Sequence, residues 1–389
     1  MQPPTTTSDN RSPTDISVVV GISGGVDSAV TAALLLEQGY KVQGLHMTNW
    51  DENDSYCSAA EDYQVARQVC SDLDIPLHRV NFSREYQEKV FANFLAEIRE
   101  GFTPNPDVAC NRHIKFGDFL AYAQRLGADK IATGHYARVR PKESDYQLCK
   151  GSDHNKDQSY FLHAIQPDTL GKIMFPLGDI SKTEVRRLAN DYSLPNHARR
   201  DSTGICFIGE RPFREFLQNY VIGQTGNIET LDGDVIGTHE GLMFYTLGQR
   251  QGLAIGGLKN YGDAPWYVVN KDSQHNVLQV VQGREHAALW ANSMQTGPVH
   301  WLNQNTRVGA FECTVKTRYR QADVPCTVSV EKSGVAAVTF HEPVWAVTPG
   351  QYAVLYQDDW CLGGARISSA TNERPNSARR FQARSMTNM

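Results

Sequence analysis

The sequence predicts an α/β fold built on a doubly wound parallel sheet, followed by a small mixed central domain and a C-terminal β-barrel. Three observations predict it. Strand-like and helix-like stretches alternate regularly from ISVVV (16–20) to DKIATGH (129–135), as βα units of a parallel sheet do. Beyond about Pro212 the texture changes to glycine-rich turns such as LDGDVIGTHEG and TLGQRQGLAIGG. From about Pro298 onward, short alternating strands follow one another with turns between. The expected divisions are a disordered leader over 1–15, a catalytic domain over 16–211, a central domain over 212–297, a barrel over 298–367 and a disordered tail over 368–389.

The elements follow in order. ISVVV is a β-branched strand, and Ala29 to Gln38 is a helix closed by Gly39. KVQGLHM is the second strand, and a helix spans roughly Ser58 to Leu73. LHRVNF is a third strand, Ser83 opens a helix to about Glu100, another runs from about Ile114 to Leu126, and DKIATGH is a further strand. Ser181-Lys182-Thr183-Glu184 is a capping box opening a helix to about Tyr192. WYVVNKD and VLQVVQG are strands of the central domain. FECTVKTRYR, CTVSVEK, VAAVTF, WAVTPGQYAVLY and CLGGARI are strands of the barrel.

A chain of 389 residues with 40% hydrophobic content supports two or three domains. No run approaches about 18 apolar residues, the start MQPPTTTSDNRSPTD lacks a signal-peptide core, and the cytoplasm is the expected compartment. A net charge of -5 excludes a wholly basic nucleic-acid protein but allows a local cationic surface. The eight cysteines (57, 70, 110, 149, 206, 313, 326, 361) show no CxxC spacing, which argues against a disulfide framework or a cysteine-rich metal site.

The densest chemistry is GISGGVDS, comprising Gly21, Ile22, Ser23, Gly24, Gly25, Val26, Asp27 and Ser28, placed where the first strand turns into a helix. Glycines allow positive φ and close approach of a ligand, and a helix N-terminus presents unpaired NH groups to an anion. A nucleotide P-loop would end in Gly-Lys-Ser/Thr, whereas here Val26, Asp27 and Ser28 follow Gly25, so ordinary γ-phosphate transfer is not expected. Asp27 either helps hold magnesium or caps the helix.

In TPNPDVACNRHIKFGDF (103–119) two prolines force an extended approach and then a helix. Cys110 falls near the helix start with Arg112 and His113 close by, features that lower a thiol pKa. Cys110 is a reactive thiolate with Asp107 as proton acceptor or donor, or else an ordinary buried cysteine behind a capping aspartate. Cys206, in DSTGICFIGER, reads alone as an inert core cysteine. Beside Cys110 on a nucleotide-binding sheet it becomes half of a persulfide and transient-disulfide pair. In KTRYR a continuing strand would put Lys316, Arg318 and Arg320 on one face as a cationic ridge, with Tyr319 opposite; a solvated strand face is the alternative. NKDQSYFL is either a ligand-contacting segment or a helix start capped by Asp157.

SGGVDS is similar to the signature of the PP-loop ATP pyrophosphatases, an adenine nucleotide hydrolase-like fold. Together with NPDVACNRHIKF, ATGHYAR, NKDQSYFL, DSTGICFIGER, GLMFYTLGQRQGL, PWYVV and CTVKTRYRQADVPC in this order, it resembles the tRNA-specific 2-thiouridylases from about residue 16 to about 367. The resemblance implies ATP-dependent adenylation of the C2 oxygen of the wobble uridine, then sulfur transfer from an enzyme persulfide, with ATP and Mg2+ as cofactors. It implies that Gly21 to Ser28, Met47 and Gly134 contact ATP. Asn105, Pro106 and Asp107 would meet the target base, with Cys110 as nucleophile and Cys206 as persulfide carrier, the two forming a transient disulfide. Lys156, Asp157, Gln158, Arg318 and Tyr319 would contact tRNA. The implied partners are tRNAs accepting glutamate, glutamine and lysine, and a persulfide sulfur donor, either a sulfur-relay protein or a cysteine desulfurase. Two other readings share parts of the pattern: a small-molecule amidoligase with the same loop, and a non-catalytic RNA-binding protein.

Overall fold

The computed structural model describes residues 11–50, 59–143, 145–201, 213–258, 260–303 and 307–373. The first unit contains β1 (Ser17–Gly21), α1 (Val26–Glu37), β2 (Lys41–Thr48), α2 (Ala59–Asp72) and β3 (Leu77–Asn81). A long helical stretch follows, formed by α3 (Ser83–Tyr86), a π turn at Gln87–Phe91 and α4 (Ala92–Arg99). A second comprises α5 (Pro106–Ala109), a π segment at Cys110–Asp118 and α6 (Phe119–Arg125). Then come β4 (Lys130–Ala132), the hairpin β5 (Ala137–Lys142) and β6 (Asp145–Lys150), α7 (Ser159–Leu162), β7 (Ile173–Met174), α8 (Lys182–Asp191) and α9 (Phe213–Gln218).

The main sheet has the order β3-β2-β1-β4-β7 and every pairing in it is parallel. The all-β-branched centre of β1 has Val18, Val19 and Val20 fully buried, as a strand covered on both faces requires. One face packs on α1 and α2 through Val18, Val20, Ala32, Leu35 and Ala66. The other packs Val19, Leu45 and Ile131 against the two long helical stretches. Ser181 caps α8 by accepting from the Glu184 N–H at 3.2 Å, while the Glu184 carboxylate turns to Arg187 instead of closing the reciprocal half of the box.

The central unit holds β8 (Gly226–Glu229), β9 (Val235–His239), β10 (Trp266–Asp272) and β11 (Val277–Gln282) in a four-stranded sheet. The last unit holds β12 (Trp290–Pro298), β13 (His300–Trp301), β14 (Gly309–Lys316), β15 (Val324–Val330), β16 (Val335–Trp345), β17 (Tyr352–Gln357) and β18 (Trp360–Thr371). Six of these close on themselves in the order β12-β16-β15-β14-β17-β18 and back to β12, so no edge is left within the barrel. Order extends past both expected boundaries. A 3₁₀ turn occupies Pro13–Asp15 and β18 runs to Thr371, where pairing with β12 supplies its backbone hydrogen bonds.

The barrel is welded to the first unit. The β5–β6 hairpin joins β18 through the Cys149 and Trp360 pairing. Beneath it Asp157, with a side chain 1% exposed, accepts from Gly151 N, Ser159 N, Ser159 Oγ and, at 3.3 Å, from Lys316 Nζ of β14. Lys150 reaches Asp323 and the Asp358 carbonyl, and its ammonium and that of Lys316 both lie over the Tyr356 ring. Removing one partner of a buried pair strands the other charge, so Asp157→Ala is expected to cost about 3–5 kcal/mol in urea unfolding; a loss below about 1 kcal/mol would deny the joint this role.

At the same joint the fully buried His163 ring sits against Tyr352 at 4.8 Å, and burial pushes its pKa down to about 4. The unfolded chain binds this proton below about 6.5, but the folded chain does not until near 4. Stability is therefore expected to fall by about 3 kcal/mol between those limits as pH drops. Unfolding midpoints followed across that window should lose much of their slope in His163→Phe.

Candidate functional site

β1 ends at Gly21 on the carboxyl edge of the sheet, the edge where doubly wound folds bind ligands. Ile22 N donates to Leu45 O and the Ile22 carbonyl bonds the His46 ring at 2.8 Å, which fixes the loop's first residue to β2. Gly24 has φ +85°, and a Cβ there would lie 2.7 Å from the Asp62 carbonyl oxygen, so only glycine fits. Ser23 and Ser28 hydroxyls lie 3.3 Å apart, Ser28 Oγ donates to Gly25 O, and Gly25 N reaches Ser23 Oγ at 3.3 Å. Gly25 is the N-cap of α1, so the helix's first NH groups and both hydroxyls surround one small concavity.

The cation missing from the loop sequence comes from elsewhere in the chain. Lys182 Nζ, at the start of α8, lies 2.7 and 2.9 Å from the Asp27 carboxylate oxygens and 2.8 Å from Asp201. Tyr136 OH donates to Asp27 at 2.9 Å, and burial with that carboxylate pushes the phenol pKa far up, keeping it a donor. Burial opposes ionisation of Asp201, but hydrogen bonds from Lys182 and Lys156 win and hold its carboxyl well below the usual range. The capping-box motif was the one sequence signal that placed Lys182 at a helix start; nothing in the local pattern gave its neighbour.

Asp27 therefore carries Lys182 and Tyr136 rather than standing open as a metal ligand. Among the described residues no group of three His, Cys, Asp or Glu could hold a metal ion.

Gly134 packs on the first turn of α1, where a Cβ would meet the Asp27 backbone at 2.8 Å, and the Met47 methyl lies 3.8 Å from a Cβ built on Gly21. Asn196 donates to Gly24 O at 2.9 Å, and Arg199 reaches the same oxygen while ion-pairing with Asp62 at 2.5 Å. The sequence reading missed Asn196, which covers the loop and runs towards Asp201. Cys206 lies outside the described residues.

Cys110 lies on the second helical stretch, which sits under the same edge. Phe119 approaches a Cβ built on Gly21 at 3.7 Å, and Phe116 packs on His135 of TGHYA at 5.7 Å between ring centres. Asn105 caps α5 by accepting from Asp107 N, Pro106 takes the first helical position, and Cys110 starts the π segment, confirmed by the Phe119 N to Ile114 O bond. π turns concentrate at functional sites. Cys110 is fully buried and Asp107 half-buried, so the thiol lies one turn deeper than a helix N-terminal position would put it.

The approach to this helix is held by all three units. Thr103 N donates to Pro349 O and Gln351 donates to Thr103 O from the barrel, while Lys271 of β10 reaches Thr103 Oγ1 at 3.3 Å. Burial lowers the Lys271 pKa to about 8.

The ridge expected of KTRYR does not form, because β14 ends at Lys316 and residues 317–320 turn, with Arg320 at φ +63°. Gln321 closes that turn by accepting from Thr317 and Arg318. Lys316 is buried against Asp157. Arg318 donates to the Leu247 and Ala346 carbonyls and Thr348 Oγ1, clamping the barrel to the central unit. Tyr319 is presented half-exposed against Phe161 at 4.5 Å, and Phe161 O accepts from Asn111 beside Cys110.

In the other expected contact segment, Lys156 pairs with Asp201 at 2.9 Å, Asp157 is saturated inside the joint, and Gln158 accepts from Tyr136 N. Asp157 accepts from Ser159 N at the start of α7, as the capping alternative expects, whereas the Gln158 side chain makes no capping bond. Among the described residues no helix is long and apolar enough to cross a membrane.

Three family models match consecutive stretches: a tRNA methyl transferase HUP domain over residues 16–210, a tRNA methyl transferase PRC-barrel domain over 214–282 and an aminomethyltransferase beta-barrel domain over 291–367. The tRNA-specific 2-thiouridylase MnmA of Pseudoalteromonas translucida is 54% identical over 357 residues, covering 91% of this chain and 98% of the relative. That of Chromohalobacter salexigens is 54% identical over 361 residues, covering 92% and 94%. That of Legionella pneumophila is 52% identical over 352 residues, covering 90% and 98%.

Charge-assisted contacts carry about 1.5–3 kcal/mol, so Lys182→Gln is expected to weaken ATP binding by about 10- to 100-fold in calorimetry. An unchanged affinity would remove Lys182 from the phosphate site.

Proposed function

The chain belongs to the tRNA-specific 2-thiouridylase MnmA family and is a tRNA sulfurtransferase, and from that premise we propose that it adenylates O2 of the wobble uridine and replaces it with sulfur carried by Cys206. The observation that supports this reading is convergence. A polyanion cradle and the Cys110 helix meet at one sheet edge, joined through Phe119 on Gly21 and Phe116 on His135.

The C2 oxygen of uracil is a poor leaving group until it is esterified to AMP. The cradle suits that step: α1 NH groups, the Ser23 and Ser28 hydroxyls and the Lys182 ammonium stabilise the negative charge of departing pyrophosphate. Magnesium supplies further charge neutralisation when it arrives with ATP. Asp107, on the first turn of α5, orients the base or takes its N3 proton. Bond formation from the terminal sulfur of the Cys206 persulfide to C2 expels AMP, and Cys110 then attacks Cys206 Sγ, breaking the S–S bond so that its electron pair leaves with the uridine sulfur as a Cys110–Cys206 disulfide forms. In the alternative route Cys110 attacks Cys206 and releases hydrosulfide for the same attack. Either way a Cys110–Cys206 disulfide remains for reduction.

Chain length supports the pairing. Cys206 is five residues beyond Asp201, a reach of at most about 18 Å from the rim of the cradle. Because Cys110 is fully buried, sulfur transfer requires the residues that cover it to move, and the three-unit grip on Thr103 is consistent with RNA binding driving that motion. A flipped base from a single-stranded anticodon loop enters such a pocket at low unstacking cost. The methyl-transfer wording in two of the domain names finds no support in the cradle, whose glycines, hydroxyls and lysine suit a polyphosphate.

The test incubates the full chain with unmodified tRNA, ATP, magnesium and a persulfide donor, then digests the RNA. The expected product is a nucleoside heavier by the difference between sulfur and oxygen, and its absence would defeat the reading. Cys110→Ser and Cys206→Ser should each abolish product, whereas Cys149→Ser, in the β5–β6 hairpin, should thiolate normally. An amidoligase would be indifferent to both cysteines, and a purely RNA-binding protein would release no pyrophosphate.

A further inference from the structure

Arg112, two residues beyond Cys110, is a cation the proposed chemistry leaves unused. No carboxylate among the described residues pairs with it, and its Nε is buried with no acceptor. Among the described residues its charge acts on His113, His163 and His300, whose pKa values are lowered first by burial and further by Arg112, with Lys89 and Asp118 also acting on His113, and on Tyr352 at its barrel side. An ion pair on that side, Arg366 with Glu97 at 3.2 Å, is already balanced. A guanidinium that is half-buried and uncompensated is costly unless an anion completes it.

A second observation points to a ligand at the same place. Asn111 is 3% exposed, and its Nδ2 donates to Phe161 O at 3.1 Å, yet its Oδ1 is buried without any donor. Two consecutive residues after Cys110 therefore each leave a polar atom unsatisfied on the α7 side of the helix. Phe161 leads to Tyr319, whose ring is covered on its outer side by the exposed Arg320 at 5.2 Å. An aromatic pair with a guanidinium group over one ring is the surface chemistry of single-stranded RNA recognition.

We propose that Arg112 grips a backbone phosphate of the RNA strand next to the nucleotide presented to Cys110, fixing the register of that nucleotide. The proposal rests on the tRNA thiolation reading. A fork of planar N–H donors matches a phosphodiester bidentately, and a phosphate contact positions a strand without reading its sequence. Asn111 Oδ1 then accepts from a hydrogen of the same nucleotide.

The experiment measures binding of unmodified tRNA to the full chain by fluorescence anisotropy over a series of potassium chloride concentrations, without ATP or sulfur donor. Each phosphate contact contributes about 0.7–0.9 to the slope of log K against log salt. Arg112→Gln is expected to lower the slope by that amount, with ATP affinity and melting temperature unchanged, and Arg112→Lys to restore most of it. An unchanged slope in a folded Arg112→Gln protein overturns the phosphate contact while leaving thiolation standing. Equal loss in Arg112→Gln and Arg112→Lys with a lowered melting temperature identifies a structural arginine and overturns it as well. Failure of the parent chain to bind tRNA would overturn both readings.

Discussion

The buried ion pair between Asp157 and Lys316 is the contact on which the arrangement of units depends. Asp157 accepts three hydrogen bonds from its own unit and one from Lys316 of the barrel with its side chain 1% exposed, so separating the two units costs that carboxylate its lysine partner. Lys150 with Asp323 extends the same cluster, and Arg318 ties the barrel to the central unit. With the barrel fixed, Pro349 and Gln351 hold Thr103, and the chain entering the Cys110 helix has one path.

The cradle shows how charge is distributed when a loop sequence contains no lysine. Its acidic residue, Asp27, sits at a helix N-terminus where a negative charge is favourable, and Lys182 neutralises it from another helix. A phosphate entering the cradle competes with Asp27 for Lys182, so binding exchanges one ion pair for another rather than creating a bare charge. Asp201 holds the other side of Lys182 and also Lys156 and Arg186, which makes the segment before Cys206 part of the same electrostatic network.

Much of this was legible in the sequence, because it depends on local rules. β-branched ISVVV, the glycine positions of the loop and the Ser181 cap each follow from backbone sterics and hydrogen bonding within a few residues; the strand and α8 formed where expected, while α1 starts at Val26, three residues before the expected Ala29, because Gly25 serves as its N-cap. KTRYR failed for an instructive reason. Period-two reasoning holds only while a strand continues, and here the chain turns after Lys316 because Gln321 closes a loop over Thr317 and Arg318. Three cations expected in one row have three separate fates: a buried pair, an interdomain clamp and an exposed turn residue. Asp157 reads equally as a cap and as a ligand contact until its partner across more than a hundred and fifty residues is known.

The sequence alone determined the order of the units and the glycine loop that ends the first strand, since spacing, glycine and β-branching act over short distances. Tertiary structure alone decided which charges remain available. Lys182 meeting Asp27, Lys316 meeting Asp157 and Arg112 meeting no carboxylate among the described residues are outcomes of long-range packing. Coulombic partners are chosen by proximity in space, and no local pattern encodes that proximity.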